Sequence, residues 1–547
     1  VYKSSAASDV YKRQNHPCIY IWSVENEIAY INSNNLGQWR EVEPALRDGV
    51  EHVMRVDPTR PAMVDGGNAL RDESLPVNGA HYTEFMGVDF RDFPCAAYTR
   101  EHFYNTLQRD AWRMVPGRPI MKGEIYFANG YSTDRFATIG GDRCFIGVSQ
   151  TMEARGLWAR MLSEGYRWAE VSSWHFWMTN SDRQYYNSWS PVAVLCRQWN
   201  WTFGADHTIQ RTLKVFNSTR HPDPIDVRWA VEAGGREIAG QSRQFEVPPG
   251  EAEEFVVHFE TPSVTARTEG RFILTANRNG KEVFRDEKPL TVIAPDAMAK
   301  PTLSKAQLAV CDPRGTAKAY LSARGIPFTE MDEPDQAPTT AKVVILGTDA
   351  VPAELAADPF CYRYALEGKR VLVLDQTHPL RYQAIPADLS PTEYVGRFGF
   401  SEDLGHPAFD GLEQADFFTW GNDHVLYRHA YRKGSTGGRS LLQCDDRLSC
   451  TALVESPVGD GLLLLSQLAI GQRLQSLGVA QAVFNNLLNY AADYVPIRKA
   501  TYAALEADSP EARLLDSVNL KYELVPSPLD ALHGDGIAVV QATPANL

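Results

Sequence analysis

Between residues 15 and 180, short apolar runs alternate with longer segments of helical periodicity, and this alternation limits the possible folds more than any other feature. The segment 37–55, for example, has apolar residues at helical spacing and predicts an amphipathic helix. Strand and helix repeated in this way are typical of parallel β/α units. The apolar runs predict five strands, near residues 19–24, 62–66, 79–82, 119–123 and 169–175.

Two of these predicted strands are followed at once by glutamates. The first ends in Glu25-Asn26-Glu27, and Glu124 follows directly on the fourth. In a (β/α)₈ barrel the reacting groups lie at the carboxyl ends of the strands, so Glu27 is a candidate catalytic residue. Glu25 is expected to be solvated, with a second polar contact to the substrate as the alternative.

Three segments carry a resemblance to a known family. They are NHPCIYIWSVENE (residues 15–27), VDPTRPAMVDGG (56–67) and RPIMKGEIYFANGYS (118–132). In this order and at this spacing, the chain resembles glycoside hydrolase family 2, the β-galactosidase, β-glucuronidase and β-mannosidase group. The resemblance implies a retaining β-glycosidase of the β-galactosidase type that hydrolyses O-glycosidic bonds of carbohydrates.

The same resemblance assigns roles to the two glutamates. Glu27 matches the general acid/base of the family, and Glu124 matches its nucleophile. Retention requires the two carboxyl groups to lie about 5–5.5 Å apart. If Glu27 closes the fourth strand, only strands 4–8 of a TIM barrel are present. We therefore expect a carboxyl-terminal fragment of a larger enzyme.

Five further residues are candidates for contacts with the substrate. The resemblance implies that Asn26 hydrogen-bonds the sugar hydroxyl beside the anomeric carbon, and that Tyr82 lies beside the nucleophile. It also places Trp174 at the floor of the sugar site, where a ring can stack on an apolar sugar face. His81 and His175 complete the set. The alternatives are a loop-capping amide, aromatic residues of the core and a structural histidine.

Changes of periodicity divide the chain into a multidomain α/β and β protein. From about residue 212 the apolar period shifts to two, which predicts a β-sandwich of immunoglobulin type. Buried-strand runs return after residue 305 and resemble a flavodoxin-like or glutamine-amidotransferase-like domain. The predicted units are a foreign or disordered leader (1–14), the partial barrel (15–208), the sandwich (209–295), the α/β accessory domain (306–498) and the start of a truncated further α/β domain (499–547).

Composition narrows the range of partners. A formal net charge of −14 argues against nucleic acids and anionic membrane surfaces. The eight cysteines show no Cys-x-x-Cys pair, and no residue pattern identifies a metal ligand or an organic cofactor. The expected partner is an oligosaccharide or polysaccharide substrate, with a possible homo-oligomer formed through the accessory domain. The sequence leaves the cellular compartment open.

Other functions compatible with the same patterns remain open. One is another barrel glycosidase of the same clan, such as a family 42 or family 5 enzyme, although the DPTRP segment favours family 2. Another is a carbohydrate-binding scaffold without turnover. An amidotransferase activity in residues 306–498 is disfavoured, because no cysteine there lies in a Gly-x-Cys-x-Gly turn.

Overall fold

The computed structural model describes residues 18–33, 36–67, 69–81, 115–126, 133–177, 185–496, 499–517, 520–532 and 536–544. Within these residues the protein is mixed α/β, rich in strands and multidomain, with several separate sheets and seven α-helices. None of the described helices combines the length and the apolar character that crossing a membrane would require.

The amino-terminal part contains five parallel strands, and each predicted run overlaps one of them. The strands are β1 (Trp22–Asn26), β2 (Ala62–Asp65), β3 (Asn78–His81), β4 (Ile120–Tyr126) and β5 (Ser173–Trp177). Strand β1 pairs with β2, and β3, β4 and β5 form a second parallel sheet. The described helices between them are α1 (Trp39–Val56), α2 (Ala137–Gly140) and α3 (Val148–Trp168). A helix predicted near residues 101–114 lies outside the described residues.

Two close approaches bend these five strands into a curled half-barrel. A Cβ atom on Gly79 of β3 would lie 2.4 Å from the Val64 carbonyl oxygen of β2, so only a glycine lets the two strands approach so closely. At the other side, the Tyr20 hydroxyl lies 3.0 Å from the Ser173 hydroxyl at the start of β5. The segment before β1 therefore meets the last of the five strands.

A two-sheet β unit follows the half-barrel. Its strands are β6 (Val192–Cys196), β7 (Thr202–Gly204), β8 (Thr208–Asn217), β9 (Ile225–Ala233), β10 (Arg236–Phe245), β11 (Ala252–Glu260), β12 (Thr268–Arg278) and β13 (Lys281–Ile293). The sheet orders are β10-β9-β12-β13-β7 and β11-β8-β6. Valines, leucines and phenylalanines from both sheets share one buried core. The alternation of apolar and polar residues explains this packing, since one face of each sheet is buried.

The β unit begins earlier in the chain than predicted. Strands β6 and β7 belong to its two sheets, because β6 pairs with β8 and β7 pairs with β13. The predicted boundary at residue 209 assigned both strands to the barrel portion. Strand β6 reads Val-Ala-Val-Leu-Cys and every residue is buried, so it lacks the alternation that identified the later strands.

The next unit is an α/β layer built on a ten-stranded sheet. Strands β14 (Leu308–Cys311), β15 (Thr329–Glu330), β16 (Val343–Leu346), β17 (Arg370–Val373) and, later in the chain, β25 (Gly461–Ser466) pair in parallel. The strands that follow β17 in the chain and precede β25 are β18 (Ser390–Pro391), β19 (Val395–Gly396), β20 (Gly399–Ser401), β21 (Tyr427–Arg428), β22 (Tyr431–Arg432), β23 (Arg439–Cys444) and β24 (Cys450–Val458). Of these, β19 and β21 form a separate two-stranded sheet. The α-helices are α4 (Thr316–Ala323), α5 (Phe360–Leu366) and α6 (Gly478–Asp493).

The last described residues form a small parallel sheet with one helix. Strands β26 (Thr501–Ala504), β27 (Glu523–Leu524) and β28 (Ile537–Val540) pair in the order β27-β26-β28, and α7 (Pro510–Ser517) joins β26 to β27. The residues of β28 are all apolar, yet three of the four are exposed. A sheet of three strands with one short helix offers too little apolar surface to cover both faces of β28.

Candidate active site

An extra residue in β4 sets the direction of the Glu124 side chain. Ala80 and His81 of β3 pair with Lys122 and Glu124 of β4, which leaves Gly123 without a partner of its own. The same irregularity appears in the pairing with β5. Such a bulge lets two consecutive residues face the same side of a sheet. Gly123 and Glu124 therefore both lie toward the inside of the half-barrel.

Strand β1 carries a second bulge, just before Glu27. Ser23 and Asn26 pair with Met63 and Asp65, so two residues of β1 lie opposite one residue of β2. Glu27 follows with a φ of +60°, a left-handed conformation that non-glycine residues rarely adopt. Its backbone N–H donates to the Asp65 carbonyl oxygen at 2.9 Å. The bulge and the turn together end the strand at Glu27.

These two local distortions bring the distant glutamates together. Carboxylate oxygens of Glu27 and Glu124 and a ring nitrogen of His81 all lie within 4.8 Å of one another. In retaining glycosidases the two carboxyl groups lie about 5–5.5 Å apart, whereas inverting enzymes separate them by about 6.5–9.5 Å. One oxygen of Glu27 and one of Glu124 are therefore close enough to act on the same small group.

His81 lies between two carboxylates and has no exposed side-chain surface. Its Nδ1 lies 3.0 Å from Glu27 Oε1, and its Nε2 lies 2.8 Å from Asp65 Oδ1. These hydrogen bonds and the nearby Glu124 charge raise the pKa of His81 although burial alone lowers it. The sequence predicted a substrate contact for His81. The structure places it instead behind Glu27, where a buried ring with both nitrogens engaged does not face a substrate.

Glu25 belongs to the same cluster and is not the solvated residue that the sequence predicted. Its Oε2 accepts the backbone N–H of Ile28, and its Oε1 is buried without a hydrogen-bond partner among the described residues. Burial, which outweighs that hydrogen bond, raises the pKa of Glu25 to about 7, and the charges of Asp65 and Glu27 act in the same direction. Glu25 can therefore hold a proton near neutral pH.

The remaining predicted contacts are distributed differently. Asn26 is exposed at the end of β1, and His175 is exposed on β5, opposite the bulge that carries Glu124. Trp174, predicted as the floor of the sugar site, packs instead against Tyr166 of α3 at 5.8 Å between ring centroids. Successive residues of a strand point to opposite faces, so only one of Trp174 and His175 can face the half-barrel interior. Tyr82 lies outside the described residues.

Sequence reasoning missed Asp65. This residue ends β2 and accepts a hydrogen bond from His81, so it takes part in the cluster as directly as Glu27. A signal was present, because Asp65 follows a buried apolar run and precedes Gly66-Gly67, the same strand-end pattern that identified Glu27. The role of Asp65 depends on its hydrogen bond with His81, and His81 lies on a different strand, so local sequence does not reveal this contact.

The cluster does not fit a metal ion. Glu27, His81 and Glu124 are the one group of described residues whose ligand-type atoms approach closely enough to share a cation. A metal-binding histidine offers the lone pair of one ring nitrogen. Both nitrogens of His81 already hydrogen-bond carboxylate oxygens, so no lone pair is left for coordination.

The cysteines of the α/β unit are unsuited to nucleophilic catalysis. Cys311, Cys361, Cys444 and Cys450 are all buried. Burial raises the pKa of Cys311 to about 11 and that of Cys450 to about 12, which leaves almost no thiolate at neutral pH. The structure thus adds a physical reason against an amidotransferase activity in this unit.

Comparisons with known proteins add little to this geometry. No protein-family model and no curated protein match the chain. Among solved structures, an FMN-binding beta-glucuronidase from F. prausnitzii is 13% identical over 53% of this chain and 44% of its own, with a TM-score of 0.23. Spo0M, a sporulation control protein from Bacillus subtilis, is 17% identical over 19% of this chain and 50% of its own, with a TM-score of 0.16.

A CARDB domain from Pyrococcus furiosus, solved in complex with di-metal ions, is 12% identical over 19% of this chain and 85% of its own, with a TM-score of 0.15. The chain thus spans half or less of the length of the glucuronidase and of Spo0M. All three TM-scores are far below 0.5, so these likenesses carry no argument about the function of this chain.

Proposed function

We propose that the chain carries the active site of a retaining β-glycosidase that hydrolyses O-glycosidic bonds of an oligosaccharide or polysaccharide. The observation that supports this function is the meeting of Glu27, directly after β1, and Glu124, in the second half of β4, since an oxygen of each lies within 4.8 Å of the other. The resemblance of the three sequence segments to glycoside hydrolase family 2 points to the same chemistry.

The two glutamates have different roles in a double displacement. Glu124 attacks the anomeric carbon while Glu27 donates a proton to the leaving oxygen, which gives a covalent glycosyl-enzyme. Glu27 then removes a proton from water as the water attacks the same carbon and releases Glu124. Asn26 and His175, both exposed beside the pair, are available to hydrogen-bond sugar hydroxyls.

Trapping the covalent intermediate tests this proposal. The full-length protein is incubated with 2,4-dinitrophenyl 2-deoxy-2-fluoro-β-glycosides of galactose, glucose, mannose and glucuronic acid. We expect one of them to add a single fluorosugar to the peptide that contains Glu124, as measured by mass spectrometry of the digest. The sugar that labels fastest identifies the substrate class.

Matched variants separate chemistry from folding. Glu124→Gln removes the nucleophile and should abolish labelling, whereas Glu354→Gln, an exposed glutamate of the α/β unit, should label like the wild type. Labelling of a different residue, or none with any of the four sugars, would contradict the proposal. Sugar binding by calorimetry without labelling would instead identify a carbohydrate-binding scaffold.

A further inference from the structure

The orientation of the His81 ring is fixed from several sides. The ring is fully buried, and Gly66 of the loop after β2 packs directly against it. A Cβ atom on Gly66 would lie 2.9 Å from His81 Nδ1, and Gly66 has a φ of +77°. A side chain at this position would be strained and would displace the ring. The imidazole therefore has one available orientation.

The two partners of the ring determine its charge. Both ring nitrogens face carboxylate oxygens, those of Glu27 and Asp65, and an ionised carboxylate can only accept hydrogen bonds. Two acceptors require two N–H donors, which only the imidazolium provides. The carboxyl groups that act on the ring come from three strands: Glu27 with its neighbour Glu25 from β1, Asp65 from β2 and Glu124 from β4. The hydrogen bonds to Asp65 and Glu27 and the charges of Asp65 and Glu124 offset the cost of burying the cation.

We propose that His81 is a positioning residue of the hydrolysis, a cation that holds Glu27 through Oε1 and leaves Oε2 to exchange the proton with substrate. This inference rests on the proposed function. Because Oε1 accepts the hydrogen bond of the imidazolium at 3.0 Å, the acid form of Glu27 carries its proton on Oε2. Asp65, which holds the other ring nitrogen, fixes the imidazolium in turn.

Bonds and protons balance in both steps of the hydrolysis. In the first, the Glu27 Oε2–H bond breaks as its proton moves to the leaving oxygen, which also takes the electron pair of the glycosidic bond, while a Glu124 oxygen bonds to the anomeric carbon. The carboxylate left on Glu27 stays hydrogen-bonded to the imidazolium. In the second, water bonds to that carbon, its proton goes to Glu27 Oε2, and Glu124 leaves with its electron pair. His81 keeps both protons throughout.

Ring-nitrogen NMR tests the charge of His81 without any substrate. In ¹⁵N-histidine-labelled full-length protein, the His81 signals are assigned by their loss in His81→Gln, with His258→Gln, an exposed histidine of β11, as the matched control. We expect both ring nitrogens to be protonated at pH 7, and Asp65→Asn to lower the pH at which one proton is lost. A neutral His81 ring at pH 6 in the wild type would overturn the proposal.

Leaving-group dependence tests the positioning role. With phenyl β-glycosides, which need a proton donor, we expect His81→Gln to lower kcat/KM by about 100-fold, since small misplacements of a reacting group have costs of this order. With 2,4-dinitrophenyl β-glycosides, which leave without a proton, the variant should keep nearly the wild-type kcat/KM. An equal loss for both leaving groups, or no loss, would overturn the proposal.

The hydrolase function and the positioning role of His81 can be distinguished by experiment. If the wild type forms no glycosyl-enzyme even with dinitrophenyl substrates, the proposed function is wrong and the role of His81 falls with it. If the wild type turns over both substrates and His81→Gln does not change their ratio, the proposed function stands and only the role of His81 is wrong. Asp65→Asn repeats the comparison if His81→Gln does not fold.

Discussion

Gly123 of β4 packs against the carboxylate of Asp65 of β2 so closely that a Cβ atom would lie 1.9 Å from Asp65 Oδ1. The same oxygen accepts the hydrogen bond of His81 Nε2. Because Gly123 has no side chain, β4 leaves room for the carboxylate of Asp65, although β2 is not the strand that pairs with β4. Through His81, that charge is connected to Glu27.

Gly123→Ala is expected to damage the site more than the fold. The new methyl group must displace Asp65, and overpacking of this kind costs about 1–3 kcal/mol of unfolding free energy. Displaced Asp65 no longer holds His81, so we expect turnover of phenyl glycosides to fall by at least the factor expected for His81→Gln. Gly49→Ala in α1, where nothing lies within 4 Å of the added Cβ, is the control. Equal activities of the two variants would contradict this prediction.

Glu25 should make the stability of the protein fall as pH rises. Its pKa is about 7 in the folded protein against 4.5 for a free glutamate, so between these values only the unfolded state readily loses the proton. Relative to Glu25→Gln, the wild type should lose about 3 kcal/mol of unfolding free energy between pH 4.5 and pH 8. Urea unfolding of both proteins at the two pH values measures this loss. A difference that does not change with pH would contradict the prediction.

His424 should give the opposite pH dependence. Its Nε2 accepts the Trp199 backbone N–H at 3.2 Å, which a protonated ring cannot do. Burial, followed by the charges of nearby arginines, lowers the pKa of His424 to about 3. The unfolded state takes up a proton near pH 6.5 and the folded state does not, so stability falls as pH decreases.

The expected loss at His424 is about 2 kcal/mol between pH 6.5 and pH 5. His424→Gln keeps a hydrogen-bond acceptor but does not titrate, and should lose correspondingly less over the same interval. Urea midpoints of the two proteins at both pH values provide the test. Parallel pH profiles would show that His424 is not the source of the acid sensitivity.

A buried charge cluster joins helix α3 to strand β13. Arg160 donates to Glu164 at 2.9 Å and also to Asp286, and both carboxylates are only 3% exposed. Without Arg160, these two buried carboxylates keep Lys288 as a cation, at 3.3 Å from Asp286 and 4.0 Å from Glu164, so one negative charge of the pair is left uncompensated. We expect Arg160→Ala to lower the unfolding free energy by about 3–5 kcal/mol. Arg271→Ala, which breaks exposed pairs within the β unit, is the control and should have little effect.

Much of the fold was accessible from the sequence because apolar periodicity is a local property. All five runs predicted as strands of the first unit overlap observed strands, and the helix predicted over residues 37–55 is observed as Trp39–Val56. Glu27 was identified in the same way, because a carboxylate at the end of a buried strand is a candidate for catalysis. Glu124 was identified by the resemblance of residues 118–132 to the nucleophile segment of a known family. Strand β6 was not predicted as part of the β unit, because all of its residues are buried and its sequence lacks the alternation that identified the later strands of this unit.

The site beyond the two glutamates depends on contacts between strands, which periodicity does not encode. His81 was predicted to contact substrate, yet its surroundings are set by Gly66, Asp65 and Glu27, which lie 15 or more positions away in sequence. Trp174 was predicted to face the sugar, but the register with β4 turns it toward α3. Glu25 was expected in solvent, and the bulge in β1 draws it into the cluster.

The inserted residue of β4 decides which side chains can share the interior. Lys122 and Glu124, on either side of Gly123, pair with two consecutive residues of β3, so the insertion adds a position without shifting the pairing before or after it. The added position carries no side chain, and the Asp65 carboxylate lies where one would be. An acid of β2 and an acid of β4 can thus point into the same space.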